Sequence, residues 1–259
     1  MEIKELVIIV HTKNHIEPLL DFLNNTNVRY KLFSPYLKSS LTNKKRFTLF
    51  NSDGNLLLTL IFALHKKSFI STQLYLRFFD FFATKYLKKL YKLNSNPKIV
   101  YSFALGALKI FKLNKEVYNG TNVLDRACPS IDYQMDILIN NYRKRKIDLS
   151  YSVNNIGRMI IEYSESDYIF VPSKYTLTSF NSPFQNKLKV IELFGKFNSS
   201  QNISCLNCNY SFLSIGGNFV RKGFPELIDV FSIEPLNKYS LVIKSSAFLN
   251  DSNKAENIQ

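Results

Sequence analysis

The chain has 259 residues, of which 46% are hydrophobic and 14% aromatic, so it can bury a sizeable core and wholesale disorder is excluded. That length fits one large domain or two ordinary ones. The 34 Lys and Arg residues against 20 Asp and Glu give a formal net charge of +14. Such a charge favours an anionic partner: nucleic acid, a lipid surface or a phosphorylated ligand.

The N-terminus and the cysteines are typical of a cytoplasmic protein. The opening MEIKELVIIVHTKN mixes charges with a short apolar run and is not a signal peptide. The longest apolar stretch, residues 56–64, is shorter than the roughly 20 residues that a membrane-spanning helix needs. Cys128, Cys205 and Cys208 are too few for a disulfide framework, and no second pair completes a zinc site around CLNC. We therefore expect reduced thiols and no metal.

Strands and helices alternate along the chain up to about residue 195. Apolar runs and alternating patterns predict strands at 6–12, 28–34, 45–52, 98–104, 122–128, 167–173 and 187–194. Helical spacing predicts helices at 17–26, 71–93, 105–114, 154–165 and 174–180. This repeated order indicates an α/β fold with a parallel sheet.

The composition changes after Phe194. Residues 195–209 are polar and without periodicity, as in a linker or long loop. A strand at 210–215, a helix at 224–232 and a strand at 239–246 then form one βαβ unit. We predict a Rossmann-like domain at 1–195, a linker at 196–209 and an incomplete second Rossmann-like domain at 210–259. Since a domain of this kind needs about 100 residues, we expect the second one to be cut short, or the unit to pack back on the first domain.

The stretch SIGGNFVRKG joins the strand and helix of this last unit. Gly216 and Gly217 allow close approach of the backbone, the helix start offers N–H groups to an anion, and Arg221 and Lys222 add positive charge. The loop lacks the Walker pattern. By itself it is either a phosphate-binding loop or a connection with solvated basic side chains.

The same stretch resembles the donor-site loop of family-four retaining glycosyltransferases, in which a strand is followed by GR and then by KG. Gly216 matches the first glycine and Lys222-Gly223 match KG, while Gly217 stands in place of the usual Arg, whose charge Arg221 could supply. Three further segments are similar to the family in the same order: VLDRACPSIDYQMDILINNYRK (123–144), SESDYIFVPSKYTLTSF (164–180) and KLKVIELFGKF (187–197). The resemblance covers residues 98–246.

This resemblance implies two Rossmann-like halves of the GT-B type and transfer of a sugar from a nucleotide-sugar donor. It implies no metal and no resident cofactor, since the nucleotide-sugar is a substrate. Lys222, Arg221, Gly216 and Gly217 would bind the donor phosphates. The later E-x7-E segment of the family has no counterpart before Gln259, so we expect a C-terminally truncated enzyme. Some relatives carry a His where this chain has Ser130, and we name no catalytic base.

Two strand ends carry further candidates on the acceptor side. Asp125 and Arg126 end a buried strand and would lie at the rim of the cleft, where they either contact the acceptor or form an ion pair that fixes the turn. Ser173 follows another strand, and we expect it to cap the next helix rather than to contact a ligand.

The helix at 71–93 has an aromatic surface bordered by lysines. Residues 65–98 hold eight basic side chains against the single Asp80. This pattern fits either an anionic membrane surface or a core helix with a solvated basic face. No nucleic-acid reader motif is present, so we expect no nucleic-acid partner.

The sequence therefore predicts a glycosyltransferase for cell-surface polysaccharide or lipopolysaccharide, with a glycan or lipid-linked acceptor. It would be cytoplasmic, either free or at the membrane surface. The alternative is a non-catalytic relative that binds a membrane or a partner protein through its basic surface.

Overall fold

The computed structural model describes residues 5–12, 16–26, 28–35, 48–49, 54–96, 98–146, 153–192, 211–217 and 220–245. The strands are β1 (Leu6–Ile9), β2 (Tyr30–Phe33), β3 (Thr48–Leu49), β4 (Ile99–Phe103), β5 (Thr121–Asp125), β6 (Tyr168–Val171), β7 (Leu188–Val190), β8 (Ser211–Gly216) and β9 (Ser240–Ser245). The helices are α1 (Ile16–Asn25), α2 (Gly54–Lys66), α3 (Thr72–Leu93), α4 (Leu108–Lys112), α5 (Ile131–Lys144), α6 (Val153–Glu165), α7 (Lys174–Thr178) and α8 (Phe224–Phe231). A π-helical segment covers Leu113–Val117, and short 3-10 helices cover Ser182–Lys187 and Leu236–Lys238.

The chain divides into two compact units. The first unit comprises residues 1–134 and 151–196, and the second comprises residues 135–150 and 197–259. The predicted linker at 196–209 lies outside the described residues. The predicted domain boundaries stay a prediction.

The first unit is built on a seven-stranded sheet with the order β3-β2-β1-β4-β5-β6-β7. All six pairings are parallel. Val7, Ile8, Ile9 and Val10 are completely buried, as a continuous β-branched run requires of a strand that is covered on both faces. The strand order reverses between β1 and β4, where open sheets of this kind place their ligand crevice. The predicted Rossmann-like α/β class is confirmed.

The second unit contains the predicted βαβ arrangement. Strands β8 and β9 pair in parallel, with α8 between them in the chain. Phe224 and Phe231 of α8 pack with Leu241 and Ile243 of β9 in a small core. The opposite face of the two strands leaves three apolar side chains exposed: Leu213, Ile215 and Val242.

The predicted helix at 105–114 begins later and changes its winding. It starts at Leu108 and passes into the π-helical segment at Leu113. The side chain of Asn114 is buried in this segment, where it accepts a hydrogen bond from the Tyr91 hydroxyl (2.6 Å) and donates one to Asn122 Oδ1 (2.9 Å). These contacts hold the segment against α3 and β5.

Helix α3 covers the helix predicted at 71–93, and it has one buried and one exposed side. Its buried side includes four aromatic side chains: Tyr75, Phe79, Tyr86 and Tyr91. Its other side exposes Phe78 and Phe81. Helix α2 has no counterpart among the sequence predictions, since residues 56–64 form an apolar stretch without a helical pattern and too short for a membrane span.

Candidate functional site

The predicted phosphate loop lies between β8 and α8, at the carboxyl end of a parallel strand. Strand β8 ends at Gly216, and Gly217 follows it. Val220 is buried, whereas Arg221 and Lys222 are exposed. Asn218 and Phe219 lie outside the described residues. The order of strand, glycines, basic pair and helix is therefore the one that the sequence predicted.

A left-handed glycine connects the basic pair to the helix. Gly223 has a φ of 73°, which an L side chain adopts only with strain, and its N–H donates to the carbonyl of Val220 at 3.0 Å. Gly223 is the N-cap of α8 and provides no side-chain cap. The Glu226 carboxylate of the first turn comes within 3.8 Å of a Cβ atom placed on Gly223 but makes no cap hydrogen bond. The first N–H groups of α8 therefore have no side-chain cap, which is one condition for binding an anion there.

Gly216 makes room for the stem of Lys222. A Cβ atom at Gly216 would lie 3.1 Å from Lys222 Cγ and 3.4 Å from Phe224 Cζ. The lysine stem therefore crosses the backbone at the end of β8, while its side chain stays exposed. The structure thus brings Gly216 and Lys222 together, six positions apart in the chain.

The acidic side chains of α8 have a basic partner within the second unit. Arg145 Nη2 contacts Asp229 Oδ2 at 2.8 Å and Glu226 Oε1 at 3.2 Å. The Asp229 carboxylate is the main cause of a raised pKa of the Arg145 guanidinium. Arg145 therefore offsets negative charge next to the loop. No local signal in the sequence links it to residues 84 positions away.

The acceptor-side candidates are tied to their own strand end in the first unit. Arg126 is buried, and its guanidinium donates to the carbonyl of Pro129 (3.0 and 2.8 Å) and to the Gln134 side chain (2.7 Å). Asp125 accepts a short hydrogen bond from the Tyr101 hydroxyl. Burial and the Asp125 carboxylate together hold the pKa of Tyr101 well above its usual range. The contacts of Arg126 fix the turn after β5, and acceptor contact by this pair stays a prediction.

The two serines of the neighbouring loops have structural contacts. Ser173 accepts a hydrogen bond from the N–H of Thr176 at 3.2 Å, so the predicted N-cap of α7 is confirmed. Ser130 is buried and donates from its hydroxyl to the carbonyl of Ser179 at 2.6 Å. Its position in the turn is therefore fixed by Ser179, the residue that follows α7.

Sequence reasoning missed an internal carboxylate at the end of β4. Glu162 is completely buried and accepts hydrogen bonds from the N–H groups of Leu105 (2.7 Å), Ala107 (3.0 Å) and Leu108 (3.0 Å). Arg158 Nε lies 3.2 Å from Glu162, and the same guanidinium holds Asp80 with two bonds of 2.8 and 2.7 Å. Burial raises the pKa of Glu162 to about 7, against the opposing effects of Arg158 and the three amides.

His11 follows β1 at the strand switch and packs against the same connection. Its imidazole is buried in edge contact with Phe79, and a Cβ atom at Gly106 would lie 2.5 Å from its Nδ1. Burial, with the positive charges of Arg158 and His65, lowers the pKa of His11 to about 3. The ring is therefore neutral near pH 7, and Nδ1 has no hydrogen-bond partner.

The metal and membrane predictions can be compared with the described residues alone. Among the described residues, no three His, Cys, Asp or Glu side chains are grouped so as to hold a metal ion. Cys205 and Cys208 lie outside these residues, so the absence of a metal and of a cofactor stays a prediction. Of the helices in the described ranges, none combines the length and apolar character needed to cross a membrane.

Comparisons with known proteins give matches in structure only. No family model and no curated protein matches the sequence. The calicheamicin glycosyltransferase CalG4 matches 100% of this chain and 70% of its own, with a TM-score of 0.47 and 11% identity. S. aureus MnaA with UDP matches 94% of this chain and 62% of its own, with a TM-score of 0.49 and 13% identity. The UDP-GlcNAc 2-epimerase from Methanocaldococcus jannaschii matches 92% of this chain and 65% of its own, with a TM-score of 0.45 and 12% identity. The chain thus spans 62–70% of the length of these structures, and likeness at this level does not indicate a shared activity.

Proposed function

We propose that the chain is a glycosyltransferase of the two-Rossmann type that transfers a sugar from a nucleotide-sugar donor to a glycan or lipid-linked acceptor. The observation that carries the proposal is the connection between β8 and α8. There the stem of Lys222 packs on Gly216, and the N-cap Gly223 leaves the start of α8 without a side-chain cap. The ordered resemblance of four segments to family-four retaining glycosyltransferases adds support.

The proposed role of the loop is to bind and neutralise the donor diphosphate. During transfer, the bond between the anomeric carbon and the diphosphate oxygen breaks, and the acceptor oxygen bonds to that carbon as its hydroxyl proton passes to the departing diphosphate. Negative charge grows on the departing nucleotide. Cations and N–H groups that are already in place stabilise this charge more in the transition state than in the ground state. Lys222 and Arg221 would supply the cations, and the amides around Gly216, Gly217 and the start of α8 would supply the N–H groups.

The central experiment compares the variants K222A and K238A. Both lysines are exposed in the second unit, so each variant removes one surface charge from the same unit. With UDP, GDP and their sugar conjugates as probes in calorimetry, we expect K222A to weaken nucleotide-diphosphate binding at least about tenfold, as loss of a charge-assisted hydrogen bond predicts. K238A should bind like the wild type. Equal affinities of K222A and the wild type would overturn the assignment of the loop.

A transfer assay extends this test to the activity itself. The full chain is incubated with the nucleotide-sugars that it binds and with lipid-linked and oligosaccharide acceptors, and release of the nucleotide diphosphate is measured. We expect release that depends on the acceptor and falls strongly in K222A. Binding without any transfer or donor hydrolysis would instead favour a non-catalytic relative.

The non-catalytic alternative has its own observation in favour. The first unit carries a long basic helix, α3, whose lysines are exposed at a distance in sequence from the proposed donor loop. Such a surface could bind an anionic partner whether or not sugar transfer occurs. The proposed place of action is the cytoplasm, either free or at the inner surface of the membrane.

A further inference from the structure

Helices α2 and α3 form a hairpin whose turn is firmly built. Their connection, residues 67–71, is closed by hydrogen bonds from the Ser68 N–H to the His65 carbonyl (2.9 Å) and from the Phe69 N–H to the Leu64 carbonyl (3.0 Å). Ser68 has a φ of 61° and allows the tight reversal. The ring of Tyr75 stacks on His65 with centroids 4.9 Å apart, which joins the two helices next to the turn.

This turn holds a large apolar side chain in water. Phe69 is 76% exposed, between Lys66 and Lys67 on one side and the N-cap Ser71 on the other. At this exposure, the Phe69 side chain buries little apolar surface within the hairpin. Phe81, two turns or more along α3, is 61% exposed. Further exposed apolar side chains of the hairpin are Leu57, Leu60, Leu74 and Phe78.

The exposed charges of the hairpin all have one sign. In the described residues 54–96, the basic side chains are Lys66, Lys67, Arg77, Lys85, Lys88, Lys89 and Lys92, and all seven are exposed. The one acidic residue of this range, Asp80, is buried and bound by Arg158. Lys98, which the sequence counts with this group, is completely buried and lies 3.0 Å from Glu5. Asp80 and Lys98 are therefore buried, and seven basic side chains of the hairpin remain exposed.

The apolar and basic side chains occupy successive zones of the exposed side of α3. Leu74, Phe78 and Phe81 lie in the half next to the turn, and Lys85, Lys88, Lys89 and Lys92 lie in the other half. Lys66 and Lys67 flank the apolar tip, where long stems allow the ammonium groups to reach polar surroundings. An apolar tip between cations matches the boundary between the headgroups and the acyl chains of a bilayer.

From this arrangement we infer that the α2–α3 hairpin docks the protein on an anionic lipid surface, with Phe69 and Phe81 entering the interface and the lysines bound to lipid phosphates. Charge alone would suit a nucleic acid equally well. A lipid interface in addition removes the exposed apolar side chains of the hairpin from water, which a phosphate backbone does not. The inference is independent of the sugar-transfer proposal.

Vesicle flotation with the full chain tests this inference. The probes are vesicles of phosphatidylcholine alone and of phosphatidylcholine mixed equally with phosphatidylglycerol. We expect binding to the mixed vesicles only, with weakening at high salt because the headgroup attraction is screened. Binding that is equal on both vesicles, or absent on both, would overturn the proposal.

Matched variants separate this surface from the overall charge of the chain. The triple variant K85Q/K88Q/K92Q removes three cations of the hairpin, and K174Q/K189Q/K238Q removes three exposed cations elsewhere. At roughly fivefold per cation near a charged membrane, the first should lose about a hundredfold in partitioning. The second should lose far less. Equal losses would mean nonspecific attraction and would overturn the inference.

The apolar zone needs its own variant and a competing ligand. F69S/F81S changes two exposed side chains, so it should keep the fold, which circular dichroism checks, and should lose at least about tenfold in vesicle binding. A random duplex oligonucleotide provides the other class of partner. If the hairpin lysines governed duplex binding while F69S/F81S left vesicle binding unchanged, the surface would be a nucleic-acid site and the membrane assignment wrong.

Discussion

Each unit has a connection from a strand to a helix with N–H groups that can bind an anion. The two connections differ in what lies next to these N–H groups. After β4, the three N–H groups of Leu105, Ala107 and Leu108 bind the buried carboxylate of Glu162. After β8, the helix begins at a glycine without a side-chain cap, and the two residues before that glycine are the exposed cations Arg221 and Lys222. The Glu226 carboxylate of the first helical turn is paired with Arg145. A strand end with a helix start attracts anions in either case. The first connection is already satisfied by the protein itself, so only the second is a candidate for a ligand phosphate.

The difference also concerns what holds each connection in place. Glu162 is anchored by Arg158, which is anchored in turn by Asp80 on another helix. The loop after β8 is held by the Val220–Gly223 turn and by the contact between Lys222 and Gly216. The first connection should therefore govern stability, and the second should respond mainly to ligands.

The substitution E162Q should have the largest effect on stability, because it changes the carboxylate that binds the N–H groups of the connection after β4. An amide retains a single acceptor oxygen and turns a donor toward N–H groups that need an acceptor. We expect a loss of about 3 kcal/mol in the free energy of unfolding, measured by urea titration at pH 8. The control E116Q, at an exposed position of the π-helical segment, should stay within about 0.5 kcal/mol of the wild type. A loss below about 1 kcal/mol in E162Q would contradict a structural role for the carboxylate.

Alanine in place of glycine should distinguish the two connections directly. G106A places a Cβ atom 2.5 Å from the buried His11 ring, and we expect it to destabilise the fold by about 2 kcal/mol. G216A meets the flexible Lys222 stem at 3.1 Å, so it should change stability by less than about 0.5 kcal/mol while weakening nucleotide-diphosphate binding.

The control for both glycine variants is G157A in helix α6, where nothing lies within 4 Å of the added Cβ atom. Helix propensity predicts that it stabilises the fold by about 0.5–1 kcal/mol. Thermal and urea unfolding give the stabilities, and calorimetry gives the affinities. If G216A destabilised the chain as much as G106A, the loop after β8 would be a structural connection like the first.

A smaller effect than those of E162Q and G106A concerns pH and the His11 side chain, which packs beside the connection after β4. Its pKa is about 3 in the folded chain and about 6.5 when unfolded, so its contribution to stability is complete above pH 6.5 and is lost progressively as the pH falls toward 3. Between pH 7.5 and 5.5, we expect His11 to lower the free energy of unfolding of the wild type by about 1.4 kcal/mol. The variant H11F should lack this contribution. Phenylalanine keeps a ring in the site and removes an unpaired nitrogen. Parallel pH profiles of both proteins would show that His11 does not titrate in this way.

Much of the fold follows from local pattern. The apolar run of β1, the aromatic spacing of α3 and the Phe224–Phe231 helix with Pro225 near its start each encode their own element. Helix α2 escaped prediction because its mostly apolar sequence, Gly54–Lys66, has no polar face that would reveal the helical period. The winding change at Leu113 depends on Asn114 contacting Tyr91 and Asn122, which no local pattern displays.

The part of the candidate site that lies in one stretch of sequence was predictable. The contacts between residues far apart in the sequence were not. Gly216, Gly217, Arg221 and Lys222 lie in one short stretch, and the order of strand, loop and helix around them is visible in the sequence. The bond between Arg158 and Asp80 joins residues 78 positions apart, and the contact of Arg145 with Asp229 joins residues 84 apart. In the sequence alone, charged residues such as these cannot be distinguished from ordinary solvated ones, because their partners lie far away in the chain.

The exposed face of the β8–β9 sheet has a practical consequence for handling the protein. Leu213, Ile215 and Val242 present an apolar surface on two parallel strands, a type of strand that is normally covered on both sides. Surfaces of this kind promote association between copies, and the net charge of +14 opposes it by repulsion. Salt screens that repulsion and leaves the apolar attraction in place. The useful concentration range of the purified chain should therefore shrink as ionic strength rises.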